Sequence, residues 1–301
     1  MSDRNKGILC LVASAFGFAL MAFFVRLTDD FGGSVSCFQK SFFRNVIALA
    51  IAAAAWFRSD RKGTSALGGN RPKALALMTA RSLFGTVGIF ANFYALGQIP
   101  IGEAMTLNKT APFFTVLFSW FFLGERVSAR QALALMTAFA GAMLVMKPGF
   151  HLSGSFAAGC ALVGGLGAGG AYACVRKLGL MKVNGALIIL YFSAFSCLAS
   201  LPFVIFDYHP MTSAQVAILL GAGVGAAIGQ FGVTAAYRFA PPRQIAAFDY
   251  SNVIFTAAFG FAFFGQVPDV WSVIGFLVII VSALMIRQAA ARISPENCRK
   301  S

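Results

Sequence analysis

The sequence predicts an all-α membrane protein of ten transmembrane helices, built as two inverted five-helix repeats with both termini in the cytoplasm. Three observations predict it. Of the 301 residues, 58% are hydrophobic and only 11% are charged, against roughly 25% charged in an ordinary soluble domain; mean hydropathy is +0.77. Cutting the chain at polar and Pro/Gly punctuation leaves ten apolar runs, each close to the roughly 20 residues that cross a bilayer as a helix. The basic residues are distributed unevenly about those runs. The same numbers exclude a soluble domain, a disordered chain and a secreted disulfide scaffold.

The runs are 7–25, 35–57, 74–96, 101–123, 128–147, 155–175, 184–206, 213–236, 243–265 and 268–287. The first follows the polar stretch MSDRNK and lacks a clear small-residue cleavage site, so it reads as a retained helix rather than a signal peptide. The second and third are joined by the longest connection, residues 58–73, with no inserted soluble domain. Pro112 and Pro202 lie inside the fourth and seventh runs and predict kinks. Pro100, Pro148, Pro210, Pro241, Pro242 and Pro268 sit at boundaries, where a missing N–H costs little. The sixth run contains GAGG at 167–170 and the eighth GAGVGAAIG at 221–229, which read as close helix packing. The six cysteines form no C-x-x-C pair and the two histidines lie in loops. Metal and disulfide chemistry are therefore not expected, nor is a cofactor.

A net charge of +14 would suggest nucleic acid in a soluble protein. Here it orients the chain. With the N-terminus in the cytoplasm, the 24 Lys and Arg fall on cytoplasmic segments and adjoining helix ends, apart from six. Arg26 and Lys147 face outward; Lys40, Arg44, Arg81 and Lys109 fall within spans. The outer side carries Asp29, Asp30, Asp207 and Asp269. This is the positive-inside pattern, and it implies no nucleic-acid partner. The expected location is the bacterial inner membrane, as a multi-pass protein, with the lipid bilayer and a small-molecule substrate as partners. Both a monomer and a homodimer fit.

An internal repeat is visible. Residues 94–127 read YALGQIPIGEAMTLNKTAPFFTVLFSWFFLGERV and residues 237–267 read YRFAPPRQIAAFDYSNVIFTAAFGFAFFGQV. Each starts with Tyr, enters an apolar helix and ends in an apolar-Gly-acid/amide turn. Halves of five helices have opposite orientation in the membrane, the arrangement of secondary transporters with a site near midplane.

Together these residues resemble the EamA-type ten-helix transporters of the drug/metabolite transporter superfamily. The resemblance is carried by Arg44, Tyr94-Ala95-Leu96, Glu103-Ala104, Thr110-Ala111-Pro112 and Leu123-Gly124-Glu125-Arg126 in the first half. In the second half it is carried by Ala236-Tyr237, Asp249-Tyr250 and Phe263-Phe264-Gly265-Gln266-Val267-Pro268. It spans two EamA-like halves, 7–147 and 155–287, leaving 288–301 as a cytoplasmic tail. Gln266, where the family often has Glu, and Lys109 depart from the pattern. The resemblance implies movement of small organic solutes such as amino acids, drugs or cofactor-like metabolites, without ATP.

A charge at midplane costs about 2.5–3.5 kcal/mol on insertion scales, so charged residues within spans are the functional candidates. Lys40 and Arg44 are four apart, on one face of the second helix; Arg44 lies about 13 Å deep and Lys40 about 8 Å. On a continuous fourth helix, Glu103, Thr106, Lys109 and Thr110 form one polar arc, with Lys109 about 12 Å deep. Arg44 and Lys109 at similar depth favour an anionic or carboxylate-bearing substrate, unless Glu103 neutralises one of them. Asp249 and Arg81 lie about 9–11 Å from the inner face, which suggests a structural or gating pair; Asp249 is also the candidate for proton coupling. Tyr94 and Tyr250 carry hydroxyls that need partners at depth, as do Tyr172, Tyr191 and Tyr237. Gln230 and Asn92 are further amide hydrogen-bonders.

The expected substrate site is therefore Arg44, Lys109, Glu103, Tyr250, Asp249, Tyr94 and Lys40, with Arg81 and Asp249 as an ion pair. The expected activity is secondary transport of a small organic metabolite, export preferred. Uptake of a cofactor-like metabolite is the alternative; a channel and a membrane-embedded enzyme are less well supported.

Overall fold

The computed structural model describes residues 1–32, 35–60, 67, 70–99, 101–147 and 155–296. Side chains at 29, 37, 59–60, 96–97, 101–103, 155 and 287–296 lie outside the described ones. Among the described residues all regular structure is helical. The helices are α1 (Asp3–Asp29), α2 (Cys37–Asp60), α3 (Arg71–Gln98), α4 (Ile101–Asn108), α5 (Ala111–Leu123), α6 (Ala129–Met146), α7 (Ser155–Leu180), α8 (Gly185–Phe206), α9 (Ser213–Phe239), α10 (Pro242–Ile245), α11 (Ser251–Phe264) and α12 (Val270–Glu296). A 3-10 turn over Ala246–Tyr250 joins α10 to α11.

The helix ends follow from local chemistry. Ser128 and Thr212 close reciprocal capping boxes with Gln131 and Gln215, satisfying orphan N–H groups at the starts of α6 and α9. Gly124 and Gly265 adopt left-handed φ of 70° and 63° and terminate α5 and α11. Glu125 N then donates to Ser119 O and Gln266 N to Gly260 O, the same six-residue closure at both places. The two apolar-Gly-acid/amide turns are thus one structural device used twice.

Among the described residues, eight helical segments are long and apolar enough to cross a membrane, and Val270–Ile286 is a shorter apolar helix. The fourth expected span, 101–123, is not continuous: it is α4 and α5, broken at Lys109 and Thr110. Pro112 has no N–H for the Asn108 carbonyl and its ring crowds that carbonyl, so the helix stops at Asn108 and restarts with the proline in its first turn. The ninth, 243–265, is likewise interrupted, between α10 and α11. The last helix runs past the expected boundary, to Glu296.

The bundle is organised around pairs of helices: α1 against α9, α3 against α7, α6 against α12 and α2 against α8. The first three are glycine seams. A Cβ on Gly17 would lie 2.6 Å from the Gly229 nitrogen, one on Gly167 2.6 Å from the Phe84 carbonyl, and one on Gly275 2.6 Å from the Gly141 carbonyl. Backbones at this range gain dispersion contacts and keep polar groups away from lipid. Large apolar side chains cover the outside, including Phe121, Phe206 and Leu198, as a lipid-facing surface requires. Met1, Asn5 and Ile8 share a crevice with Ile280 and Leu284, so the start of α1 and the later part of α12 lie at one end of the bundle. Leu11, Met78, Val175, Leu178, Ile188, Tyr237 and Ile245 form one buried cluster.

At the opposite end Lys147 forms an ion pair with Asp269, which also accepts from Ser272 N (3.0 Å) and Ser272 Oγ (2.8 Å). The Lys147 bond first, then the two from Ser272, lower the Asp269 carboxyl from 3.8 to about 2. A lowered folded-state pKa stabilises above the unfolded value and is lost as pH falls through the folded one. The Tm difference between wild type and Asp269→Asn is therefore expected to be constant at neutral pH and to vanish between pH 3.8 and about 2, which thermal unfolding across that range checks.

Candidate functional site

The two broken passes meet. Lys109, in the break after α4, extends its Nζ to Asn252 Oδ1 at 2.8 Å and lies 3.8 Å from Asp249 Oδ2. Both side chains of this ion pair are 14% exposed. The Tyr250 hydroxyl donates to the Lys109 carbonyl at 2.8 Å, and Asn252 Nδ2 donates to Ala15 O of α1 at 2.9 Å. Lys109 and Tyr250 stand the same number of residues before Gly124 and Gly265, so corresponding positions of the sequence repeat touch. Irregular backbone at membrane depth must find partners inside the protein, and here each break supplies them to the other. Helix α7 closes over the first break because Gly165 has no side chain: a Cβ there would lie 2.5 Å from Thr110 Oγ1 and 3.0 Å from the Asn108 carbonyl.

A second polar group lies among α2, α3, α7, α8 and α9. Arg81 stacks its guanidinium 3.5 Å above the Phe192 ring and donates from Nη2 to Gln230 Oε1 at 2.8 Å. Among the described residues Arg44 has one hydrogen-bond partner, Met21 Sδ, at 3.7 Å from Nη1. Arg44 is 6% exposed and Arg81 2%, yet among the described residues Nε and Nη2 of Arg44 and Nε and Nη1 of Arg81 have no hydrogen-bond partner. Among the described residues no carboxylate lies within ion-pair distance of either. Both guanidinium groups stand against the same elements: Arg44 reaches Met21 on α1 and Arg81 reaches Gln230 on α9, which packs on α1, and Asn45, next to Arg44, donates from Nδ2 to Ser196 Oγ at 2.9 Å, one turn along α8 from Phe192. Tyr172 packs against Tyr237 with ring centroids 5.5 Å apart. Buried hydroxyls without partners occur nearby in sequence on α3, α8 and α9, at Ser82, Thr86, Ser193 and Thr234.

These positions revise the expected site. Arg44 is buried at the bundle centre. Lys109 is not a second free cation, because Asp249 neutralises it. The Arg81–Asp249 pair is not formed: Asp249 sits in the 3-10 turn against Lys109, while Arg81 turns towards Gln230 and Phe192. Breaking the fourth helix also dissolves the continuous polar arc. Tyr250 is fully buried and ties the break. Tyr94 is 46% exposed and packs edge-on against Phe156, so it faces outward rather than into a cavity. Lys40 is half-buried one helical turn from Arg44. Glu103 belongs to α4, but its side chain lies outside the described ones. Gln230 gains a definite role from its bond to Arg81. Phe192 had no sequence signal among 33 Phe. Tyr94→Phe is expected to leave transport within about twofold of wild type, measured as uptake or efflux at matched expression, since its hydroxyl holds no interior bond.

The signature of the EamA-like transporter family matches residues 5–147 and 155–288. The Pseudopaline exporter CntI of Pseudomonas aeruginosa is 27% identical over 93% of this chain and 95% of its own length. Solute carrier family 35 member G1 of Mus musculus is 28% identical over 92% of this chain and 76% of its own. The Riboflavin transporter of Vibrio cholerae is 28% identical over 69% and 70%. A solved crystal structure with 19% identity superposes with a TM-score of 0.79, covering 96% of this chain and 99% of that one. The likeness shows a shared fold.

Proposed function

The chain belongs to the EamA-like transporter family, and on that premise we propose that it is a secondary active transporter moving a small organic metabolite across the cytoplasmic membrane by alternating access. The observation that carries this reading is the junction of two broken passes at Lys109, Asp249, Tyr250 and Asn252. Discontinuous helices at a repeat interface are where carriers of this kind bind and gate. The fold supports an inverted repeat through matched features: two glycine-capped turns, two breaks, and the reciprocal pairings of α1 with α9 and α3 with α7. The positive-inside distribution supports cytoplasmic termini. Export is preferred because a full-length relative is named an exporter.

In this reading Lys109 and Asp249 hold the crossing together, and Asp249 is the group through which protons are coupled. Reconstituted protein in vesicles loaded with unlabelled succinate, glutamate and citrate tests the carrier reading. Saturable accumulation of an added labelled carboxylate by counterflow supports it. An ohmic current would assign a channel instead, and turnover without transport an enzyme.

The two ends differ in a way that bears on cycling. Arg176 Nε pairs with Glu125 at 2.9 Å and its Nη1 reaches the Tyr237 carbonyl at 3.3 Å, joining α7, the α5–α6 turn and α9. The matching contact at the other end has no carboxylate: with the Gln266 amide oxygen turned to Arg26, Arg26 Nη1 and Nη2 donate at 3.3 and 3.2 Å. Gln266→Glu therefore introduces an ion pair there. An exposed pair is worth about 0–1 kcal/mol, so the variant is expected to slow maximal transport by up to about fivefold with little change in Tm, as initial rates at saturating solute will show.

A further inference from the structure

Arg44 and Arg81 are the feature that the junction of the two breaks leaves unused. They are buried, they stand against the same turn of α8 (Phe192 and Ser196) and the same α1–α9 pair (Met21 and Gln230), and they are supplied with no carboxylate among the described residues. What they lack is specific. Arg44 has Nε and Nη2 free, the two atoms of one edge of the guanidinium, with N–H bonds parallel in the geometry that takes a carboxylate bidentately. Arg81 is held in place from two sides, by the Phe192 face 3.5 Å away and by Gln230, and still has Nη1 and Nε unpartnered. A planar cation fixed by stacking and one hydrogen bond is preorganised for binding, not collapsed onto a structural partner. Gly85 makes that stacking possible, since a Cβ there would lie 2.8 Å from the Phe192 ring. A purely structural pair of arginines would be expected to spend these donors on carbonyls or acids, as Arg176 does on Glu125 and Tyr237.

We propose that Arg44 and Arg81 form the anion-binding site of the carrier: a carboxylate of the transported solute lies on the Nε–Nη2 edge of Arg44, with Arg81 Nη1 supplying the second positive charge. Two cations at one site favour solutes carrying a net negative charge and disfavour cations and neutral molecules of the same shape. Lys109 is outside this site because Asp249 already compensates it. The word solute rests on the carrier reading; the binding of a carboxylate does not.

The test is thermal unfolding of the purified full-length protein in detergent, titrated with sodium succinate and sodium benzoate, against sodium chloride and choline chloride at equal ionic strength. At least one carboxylate is expected to raise Tm saturably by about 2–4 °C, with no such rise from either chloride salt. Arg44→Gln and Arg81→Gln are expected to weaken that response about tenfold or more. Arg44→Lys, which keeps the charge and loses the bidentate edge, is expected to weaken it by a comparable factor. A structural role would lower the Tm of the ligand-free variants. The binding role leaves it unchanged or raises it, because each substitution removes an uncompensated buried charge. If neither carboxylate shifts Tm, or if the shift survives unchanged in both glutamine variants, the proposal is overturned. That outcome leaves the carrier reading standing wherever counterflow is saturable, whereas absent counterflow with a carboxylate shift intact overturns the carrier reading alone.

Discussion

Asp249→Ala is expected to lower stability by about 3 kcal/mol and to cut saturable transport to less than about a tenth of wild type. The size follows from what is left behind. Lys109 is 14% exposed and would keep only Asn252 Oδ1 as a partner. Breaking a buried pair on one side typically costs about 3–5 kcal/mol, because the remaining charge is uncompensated. The pair here, at 3.8 Å and slightly solvated, belongs at the lower end. Removing both charges with Lys109→Met and Asp249→Leu is expected to restore most of the stability while transport stays low. Thermal midpoints and initial transport rates of the two singles and the double separate these effects. Wild-type stability in Asp249→Ala would show that the pair does not hold the two breaks together.

Gly167→Val is expected to prevent accumulation of folded protein. The side chain would enter the α3–α7 seam, where a Cβ alone already lies 2.6 Å from the Phe84 carbonyl and 2.9 Å from Gly88 Cα. Both obstacles are backbone, so rotamer changes cannot relieve the clash and the helices must separate. Overpacking a close-packed interior costs about 1–3 kcal/mol and more where backbone must move. The upper part of that range applies here, because the seam runs along one of the longest helix pairs. Gly159→Val on the same helix is the control, since a Cβ there meets nothing within 4 Å. Size-exclusion profiles after detergent extraction are expected to show a monodisperse peak for Gly159→Val and loss of it for Gly167→Val. Equal profiles would contradict the close-contact role of the seam.

The all-helical membrane character and the order of most helices are legible because lipid imposes a strong compositional signal: about 20 apolar residues per span. The capping turns at Gly124 and Gly265 were legible because left-handed backbone selects glycine. The breaks were only half visible. Pro112 announces the first, although as a kink. The second contains no internal proline, and a run such as QIAAFDYSNVIF reads equally well as continuous helix. Charge partners were not legible at all. Arg81 and Asp249 were matched by depth, and depth leaves rotation about the helix axes open. Only the three-dimensional course of α10 and its following turn brings Asp249 to Lys109. The setting of Arg81 is hidden for the same reason, since nothing in a sequence reports that Gln230 and Phe192 hold its guanidinium.

Alternating access of this bundle, as proposed above, is tested most directly by double electron–electron resonance. One pair of spin labels, at Lys182 and Phe239, reports the end of the bundle where α1 starts; a second, at Phe31 and Gln98, reports the opposite end. All four positions are exposed. Two distance populations are expected for each pair in lipid, with the fraction separated at one end matching the fraction approached at the other and both responding oppositely to added carboxylate. A single unchanged distance at both ends, or separation at both ends together, would contradict it.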